Sequence, residues 1–248
     1  MCACNDPRHC EHGINRRRLI ATSSLLAVPA LLATGLAGRA ARAAALSREQ
    51  RDAMTPDGII AHMKEGNRLF RTGQRRSRDY LAEQQASASG QFPAAVILSC
   101  IDSRAPAEVI LDLGIGDAFN SRIAGCVADE DVIGGMEFAC KLAGAKVVLV
   151  MGHTACGAVA GAIAGAELGS LTALLSKIRP AVEAAEFSGE RSAGNPAFVD
   201  AVARKHVELT IDLIRERSPV LSGLEDQGAM KIAGAMYDIG TAEVEFLG

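Results

Sequence analysis

The chain has no tryptophan, two tyrosines and seven phenylalanines among its 248 residues, so aromatic side chains make up 4% of it. It also lacks an excess of positive charge, with 26 Lys and Arg against 29 Asp and Glu. A surface that grips nucleic acid needs a basic field and rings on which bases can stack, and this sequence offers neither, so no nucleic-acid partner is expected. What is plentiful is small and apolar: 25 glycines, and 49% of residues hydrophobic. That composition suits close packing of helices on a sheet, and the length can bury a full core within one domain.

The first 45 residues differ from the rest. Asn15-Arg16-Arg17-Arg18 precedes an uncharged stretch over 19–38, and then come Arg39 and Arg42 among small residues, with Ala41, Ala43 and Ala45 offering a cleavage region. This arrangement resembles a twin-arginine signal peptide, with Arg16 and Arg17 as the pair, and implies a partner in the twin-arginine export machinery. The expectation is a signal over 1–45 and a mature domain over 46–248, periplasmic or secreted. The alternative is a membrane anchor made by residues 19–38, which are long enough to span. The segment's six arginines outweigh Asp6 and Glu11 by +4, so the remainder carries −7 where the whole chain carries −3. Ahead of the arginines, Cys2, Cys4, His9, Cys10 and His12 form a cluster of soft-metal ligand types that would leave with the signal.

Beyond the signal, Thr55-Pro56 followed by Ile59, Ile60, Met63 and Phe70 predicts a capped helix ending near Gly73. A polar stretch over 74–91 shows no strong period. Then short, uninterrupted apolar runs appear at 94–98 and 146–152, as expected for strands buried on both faces. A third strand is expected around Phe119, a helix over 131–144 weakened by Gly134 and Gly135, broken helical pattern over 168–217, and a strand, turn and strand at the end. Strands that alternate with helices give an α/β fold with a mostly parallel central sheet flanked by helices. In such sheets functional groups gather beyond the carboxyl ends of the strands.

Both buried runs end in chemistry. The first runs into Ser99-Cys100-Ile101-Asp102-Ser103-Arg104, where an extended chain would place Cys100, Asp102 and Arg104 on one side. The second runs into Gly152-His153-Thr154-Ala155-Cys156-Gly157, whose imidazole and thiol converge if a helix starts there. Two thiols and one imidazole suit zinc with a fourth position left open. Buried cysteine is also a small hydrophobe, and an exported protein could join Cys100 to Cys156 in a disulfide. Neither reading needs Asp102, Arg104 and His153 alongside, and no fourth Cys or His stands near enough in sequence for a closed structural site.

The pattern C-x-D-x-R with H-x-x-C about fifty residues later resembles the β-class carbonic anhydrases, and the resemblance extends over most of residues 46–248. It implies a carbonic anhydrase-like fold and the reversible hydration of carbon dioxide to bicarbonate and a proton, with one zinc ion per subunit. Cys100, His153 and Cys156 would hold the metal. Asp102 would either accept a hydrogen bond from the metal's water or swing in as a fourth ligand, and Arg104 would hold it back. Gln91 matches a substrate-side amide, Phe119 an apolar pocket wall and Gly157 the continuation of the motif. A homodimer or tetramer is implied, with residues 55–72 as an arm lying across the partner.

Two thiolates offset the metal's charge, so the resemblance further implies activity that favours alkaline pH. Cys126 and Phe138 depart from the family's usual Asn and Tyr, and Cys126 and Cys140 either pair or stay free. His62 and His206 read as ordinary surface or satisfied histidines. The rival functions are hydrolysis of carbon disulfide or carbonyl sulfide on the same fold, and a non-catalytic zinc or redox protein.

Overall fold

The computed structural model describes residues 45–247. The signal peptide, the anchor alternative over 19–38 and the Cys/His cluster at 2–12 therefore lie outside the described residues. Five strands form one sheet: β1 (Ala95–Ser99), β2 (Ala118–Arg122), β3 (Val147–His153), β4 (Lys231–Tyr237) and β5 (Val244–Leu247). Their order is β2-β1-β3-β4-β5. All neighbours run parallel except β4 and β5. The mostly parallel sheet expected from the alternation of patterns is thus present, and β1 and β3 are buried along their whole length.

Side-chain alternation divides each central strand between two cores. Ala95 and Ile97 of β1 and Val147, Leu149 and Met151 of β3 face one layer, whereas Val96, Leu98 and Cys100 face the other with Val148 and Val150. The helices in chain order are α1 (Arg48–Ala53), α2 (Pro56–Arg71), α3 (Tyr80–Ser87), α4 (Ala107–Ile110), α5 (Glu130–Glu137), α6 (Gly157–Ala164), α7 (Gly169–Ser176), α8 (Arg179–Ala184), α9 (Pro196–Arg217) and α10 (Pro219–Asp226). The first core takes Ile59 and Met63 of α2, and the second takes Val159 of α6 and the apolar stripe of α9. Among the described residues no single helix is long and apolar enough to cross a membrane.

Helix α2 begins where its sequence predicts, with Thr55 Oγ1 accepting the Gly58 N–H at 3.1 Å and Pro56 in the first turn. Gly66 lets it lie directly on the chain after α4, since a Cβ there would stand 1.9 Å from the Leu111 carbonyl oxygen. Two elements differ from expectation. The polar stretch after Gly73 contains α3, which no hydrophobic period announces because tertiary contacts anchor it. Asp79 caps the Ala82 N–H, and the buried Glu83 binds Arg78 and the Ile115 N–H. The helix expected over 131–144 changes winding, being α-helical to Glu137 and π-helical over Phe138–Leu142.

Candidate metal centre

The site stands at the carboxyl ends of β1 and β3. Immediately after β1 the chain turns instead of staying extended. The Asp102 carbonyl accepts the Ala105 N–H at 3.0 Å, and Asp102 Oδ1 accepts the Arg104 N–H at 2.9 Å in an Asx turn. Strand alternation therefore does not bring Asp102 and Arg104 together, as the sequence reading supposed; the turn folds Arg104 back. Its guanidinium then meets the carboxylate on both oxygens, Nε to Oδ1 at 3.0 Å and Nη2 to Oδ2 at 2.7 Å. These bonds from Arg104 hold the Asp102 carboxyl well below its usual range. A staple that sequence reasoning missed comes from Arg122 at the end of β2, whose guanidinium donates to the Cys100 carbonyl at 3.0 Å and the Asp102 carbonyl at 2.6 Å.

Cys100, His153 and Cys156 are all buried, and their ligand atoms lie within 4.8 Å of one another. Each is set by its local chain. The Gly125 N–H donates to Cys100 Sγ at 3.3 Å. Gly125 must be glycine, because its φ is +69° and a Cβ would lie 2.6 Å from Ile178 Cδ1. His153 closes β3 with Nδ1 2.9 Å from the Thr154 carbonyl oxygen. That contact assigns the N–H to Nδ1 and leaves the lone pair on Nε2, which is buried with no partner. Cys156 is the N-cap of α6, so the positive end of a helix faces its sulfur.

Hydrogen bonding from Cys156 pushes Cys100 down, assisted by His153 and the Gly125 N–H against the opposing effect of burial, and the same bond pushes Cys156 up. On the open side of the group, Asp102 Oδ2 stands 3.9 Å from His153 Nε2. Two sulfurs, one nitrogen whose lone pair nothing else uses, and a restrained carboxylate next to it form a donor set that fits a zinc ion with one position left for chemistry.

All four described cysteines are free and buried. Neither a Cys100–Cys156 nor a Cys126–Cys140 disulfide is present. Cys126 follows Gly125 with φ +58°, held there as its thiol donates to the Met151 carbonyl at 3.0 Å. Burial pushes its thiol up, and pushes that of Cys140 up to about 12. His62 is exposed, as expected. His206 is not a surface residue: it is 6% exposed, lines a cavity of ≈ 10 Å³ with His153 and Cys156, and burial pushes its imidazole down to about 4.

Gly157 adjoins Cys156 at the start of α6 and is exposed. Gln91 and Phe119 are placed elsewhere. Phe119 pairs in register with Val96, about 13 Å along the strand from Cys100 at 3.3 Å per residue. Gln91 is exposed beyond the opposite end of β1. Within one chain neither can touch a molecule bound at the cluster. Phe119 instead makes an edge-on contact with Phe138, 6.1 Å between ring centroids.

Comparison with known proteins adds a family match, a curated relative and two solved structures. The family model described as carbonic anhydrase matches residues 95–244. The chain is 33% identical over 183 residues to carbonic anhydrase 2 of Mycobacterium tuberculosis, an alignment covering 71% of this chain and 86% of that protein. Among solved structures it resembles tetrameric β-carbonic anhydrases from Sordaria macrospora, with TM-score 0.57, 26% identity, and 65% and 83% of the two chains covered. It also resembles a β-carbonic anhydrase of Aspergillus fumigatus, with TM-score 0.58, 27% identity, and 77% and 89% covered.

Proposed function

The chain belongs to the β-carbonic anhydrase family, and from that premise we propose that it hydrates carbon dioxide reversibly, giving bicarbonate and a proton, with zinc held by Cys100, His153 and Cys156. The observation that carries the reading is the unpartnered Nε2 of His153, buried against two thiols. A buried polar atom left without a partner is costly unless a ligand or water completes it. When bound, zinc supplies a Lewis acid and an acidified water as nucleophile.

The chain's own residues do the rest. Asp102, kept ionised by Arg104, offers an acceptor at Oδ2 beside the cluster, so a proton arriving there has a defined site and the nucleophile a defined direction. Arg104 holds the carboxylate by both oxygens and keeps it from moving onto the metal. Gly125 directs its N–H at Cys100 and so favours the thiolate. With two thiolates offsetting the ion's charge, the activity is expected to rise toward alkaline pH.

The placement of Gln91 and Phe119 supports an oligomer, because their substrate-side roles would need a second copy. Ile101, Phe138 and Leu142 expose apolar surface of the kind that a subunit contact covers. The solved relatives from Sordaria macrospora are tetrameric. The Arg16-Arg17 pair and small residues at 41–45 support export, which replacement of both arginines by lysine would block in a fractionation experiment.

The decisive experiment is stopped-flow hydration on the mature protein with zinc quantified in the same sample. Activity in proportion to zinc supports the reading, and activity without metal defeats it. Hydrolysis of carbonyl sulfide or carbon disulfide in place of hydration would transfer the site to those substrates.

A further inference from the structure

We propose that Asp200, on α9, is a positioning residue of the metal centre: it fixes Ala155 in a left-handed conformation and through Ala155 governs both the His153–Cys156 turn and the Arg104 guanidinium. The inference rests on the reading of this cluster as a metal centre. Ala155 has φ +53°, which a residue with a Cβ seldom adopts unless its surroundings impose it. What imposes it is a contact from a distant helix. The Ala155 N–H donates to Asp200 Oδ1 at 2.9 Å, across 45 residues of chain.

The two peptides between the ligands are pinned from different elements. Thr154 belongs to the sheet side: its N–H donates to the Tyr237 carbonyl at 2.9 Å and its Oγ1 accepts the Ile239 N–H at 3.0 Å. Ala155 belongs to the helix side, through Asp200. The carbonyl of Ala155 then accepts from Arg104 Nη2 at 3.4 Å, which, among the described residues, ties the exposed guanidinium to a group other than Asp102. If the Ala155 peptide turned, His153 and Cys156 would lose their fixed separation, and the Asp102–Arg104 pair would be free to rotate as a unit. A single side chain on α9 therefore links the ligand turn to the carboxylate beside it. Groups that orient metal ligands from behind commonly change metal affinity 10-fold to 100-fold when removed.

The test is a titration of cobalt(II), as a spectroscopic substitute for zinc, into metal-free full-length protein for the wild type, Asp200→Ala and Asp200→Asn, followed by azide titration of the cobalt forms. Asp200 stands in the second turn of a 22-residue helix and is half-buried, so alanine, the strongest helix former, leaves the helix intact. Asp200→Ala is expected to bind cobalt about 10-fold more weakly or worse, with altered azide affinity and visible spectrum. Asp200→Asn keeps an oxygen acceptor and should stay close to wild type.

In an Ala155→Gly background, where the left-handed conformation is no longer disfavoured, Asp200→Ala should lose part of its effect. Wild-type cobalt and azide binding in Asp200→Ala overturns the proposal, as does asparagine damaging the site as much as alanine, which would assign the effect to charge. A wild-type protein that fails to bind cobalt overturns instead the reading of the cluster as a metal centre, and this proposal falls with it.

Discussion

Two buried polar clusters lie at opposite ends of β1, and they are completed in opposite ways. At the amino end, Asp112 is 0% exposed and sits, like Ala155, at positive φ. Its carboxylate receives Arg75 Nε at 3.3 Å and both the N–H and Nη1 of Arg76 at 3.1 Å, and Arg78 joins its carbonyl to Glu83. Three arginines from the adjoining segment neutralise the acids there, so the chain supplies its own counter-charge. At the carboxyl end, two thiols and an imidazole are buried together, and among the described residues His153 Nε2 has no partner. The first cluster takes its counter-charge from within the chain, with Arg78 Nε the one atom of these side chains left buried without a partner, and serves stability. The second fits an external cation and serves chemistry.

The largest effects should separate these roles outright. Cys100→Ser or His153→Ala removes a proposed metal ligand, and hydration should fall on the order of 10³-fold or more, the several kcal/mol expected from loss of a catalytic ion. Metal stoichiometry should fall with it, while the urea midpoint of the metal-free protein moves little. Asp112→Ala should do the reverse. Removing the buried carboxylate that organises Arg75 and Arg76, themselves partly exposed, costs about 1 to 3 kcal/mol, read as a lower urea midpoint, while the folded fraction keeps its full complement of metal. If Asp112→Ala lost metal while retaining stability, the division between the clusters would be wrong.

A smaller effect tests the boundary of the second cluster. Arg104→Ala leaves all three ligands in place but frees Asp102 from its bidentate hold. Zinc should remain bound at one per subunit, with hydration reduced about 10-fold to 100-fold. Unchanged turnover in a variant that holds zinc would remove Arg104 from the machinery.

How much of this was legible in the letters follows from where each contact is made. Cys100, Asp102 and Arg104 lie within five residues, and His153 and Cys156 within four, at the ends of apolar runs, so chemistry and strand ends can be read together. The parallel sheet and α2 were legible for the same local reasons, namely uninterrupted apolar strands and a capped helical period. Asp200, His206 and Arg122 were not, because they reach the site only through packing of α9 and β2, and nothing near them in sequence marks them. Helix α3 escaped because its anchor is one buried carboxylate, Glu83, whose partners are an arginine and a backbone amide. Gln91 and Phe119 match family positions in sequence, yet one precedes β1 and the other lies on β2 beside the amino end of β1, too far off to serve the same chain's cluster.

The smallest expected effect concerns His206, which lines a small cavity with His153 and Cys156 and is buried, without a charge partner among the described residues. Burial pushes its imidazole from 6.5 down to about 4, so between those values the unfolded chain binds a proton that the folded chain refuses. Stability therefore falls as pH drops below 6.5 and the loss is complete near pH 4. Applying the linkage relation, the metal-free protein should be about 1 kcal/mol less stable at pH 5.5 than at pH 7.5 through this group. His153 titrates with the opposite sign, since burial lowers it but the neighbouring Cys100 sulfur and the Thr154 carbonyl outweigh that and raise it, so the whole-protein curve mixes the two. The difference between wild type and His206→Gln isolates the His206 contribution. Urea unfolding at both pH values should show the variant gaining relative to wild type at pH 5.5, and an unchanged difference would mean that His206 carries its proton inside the fold.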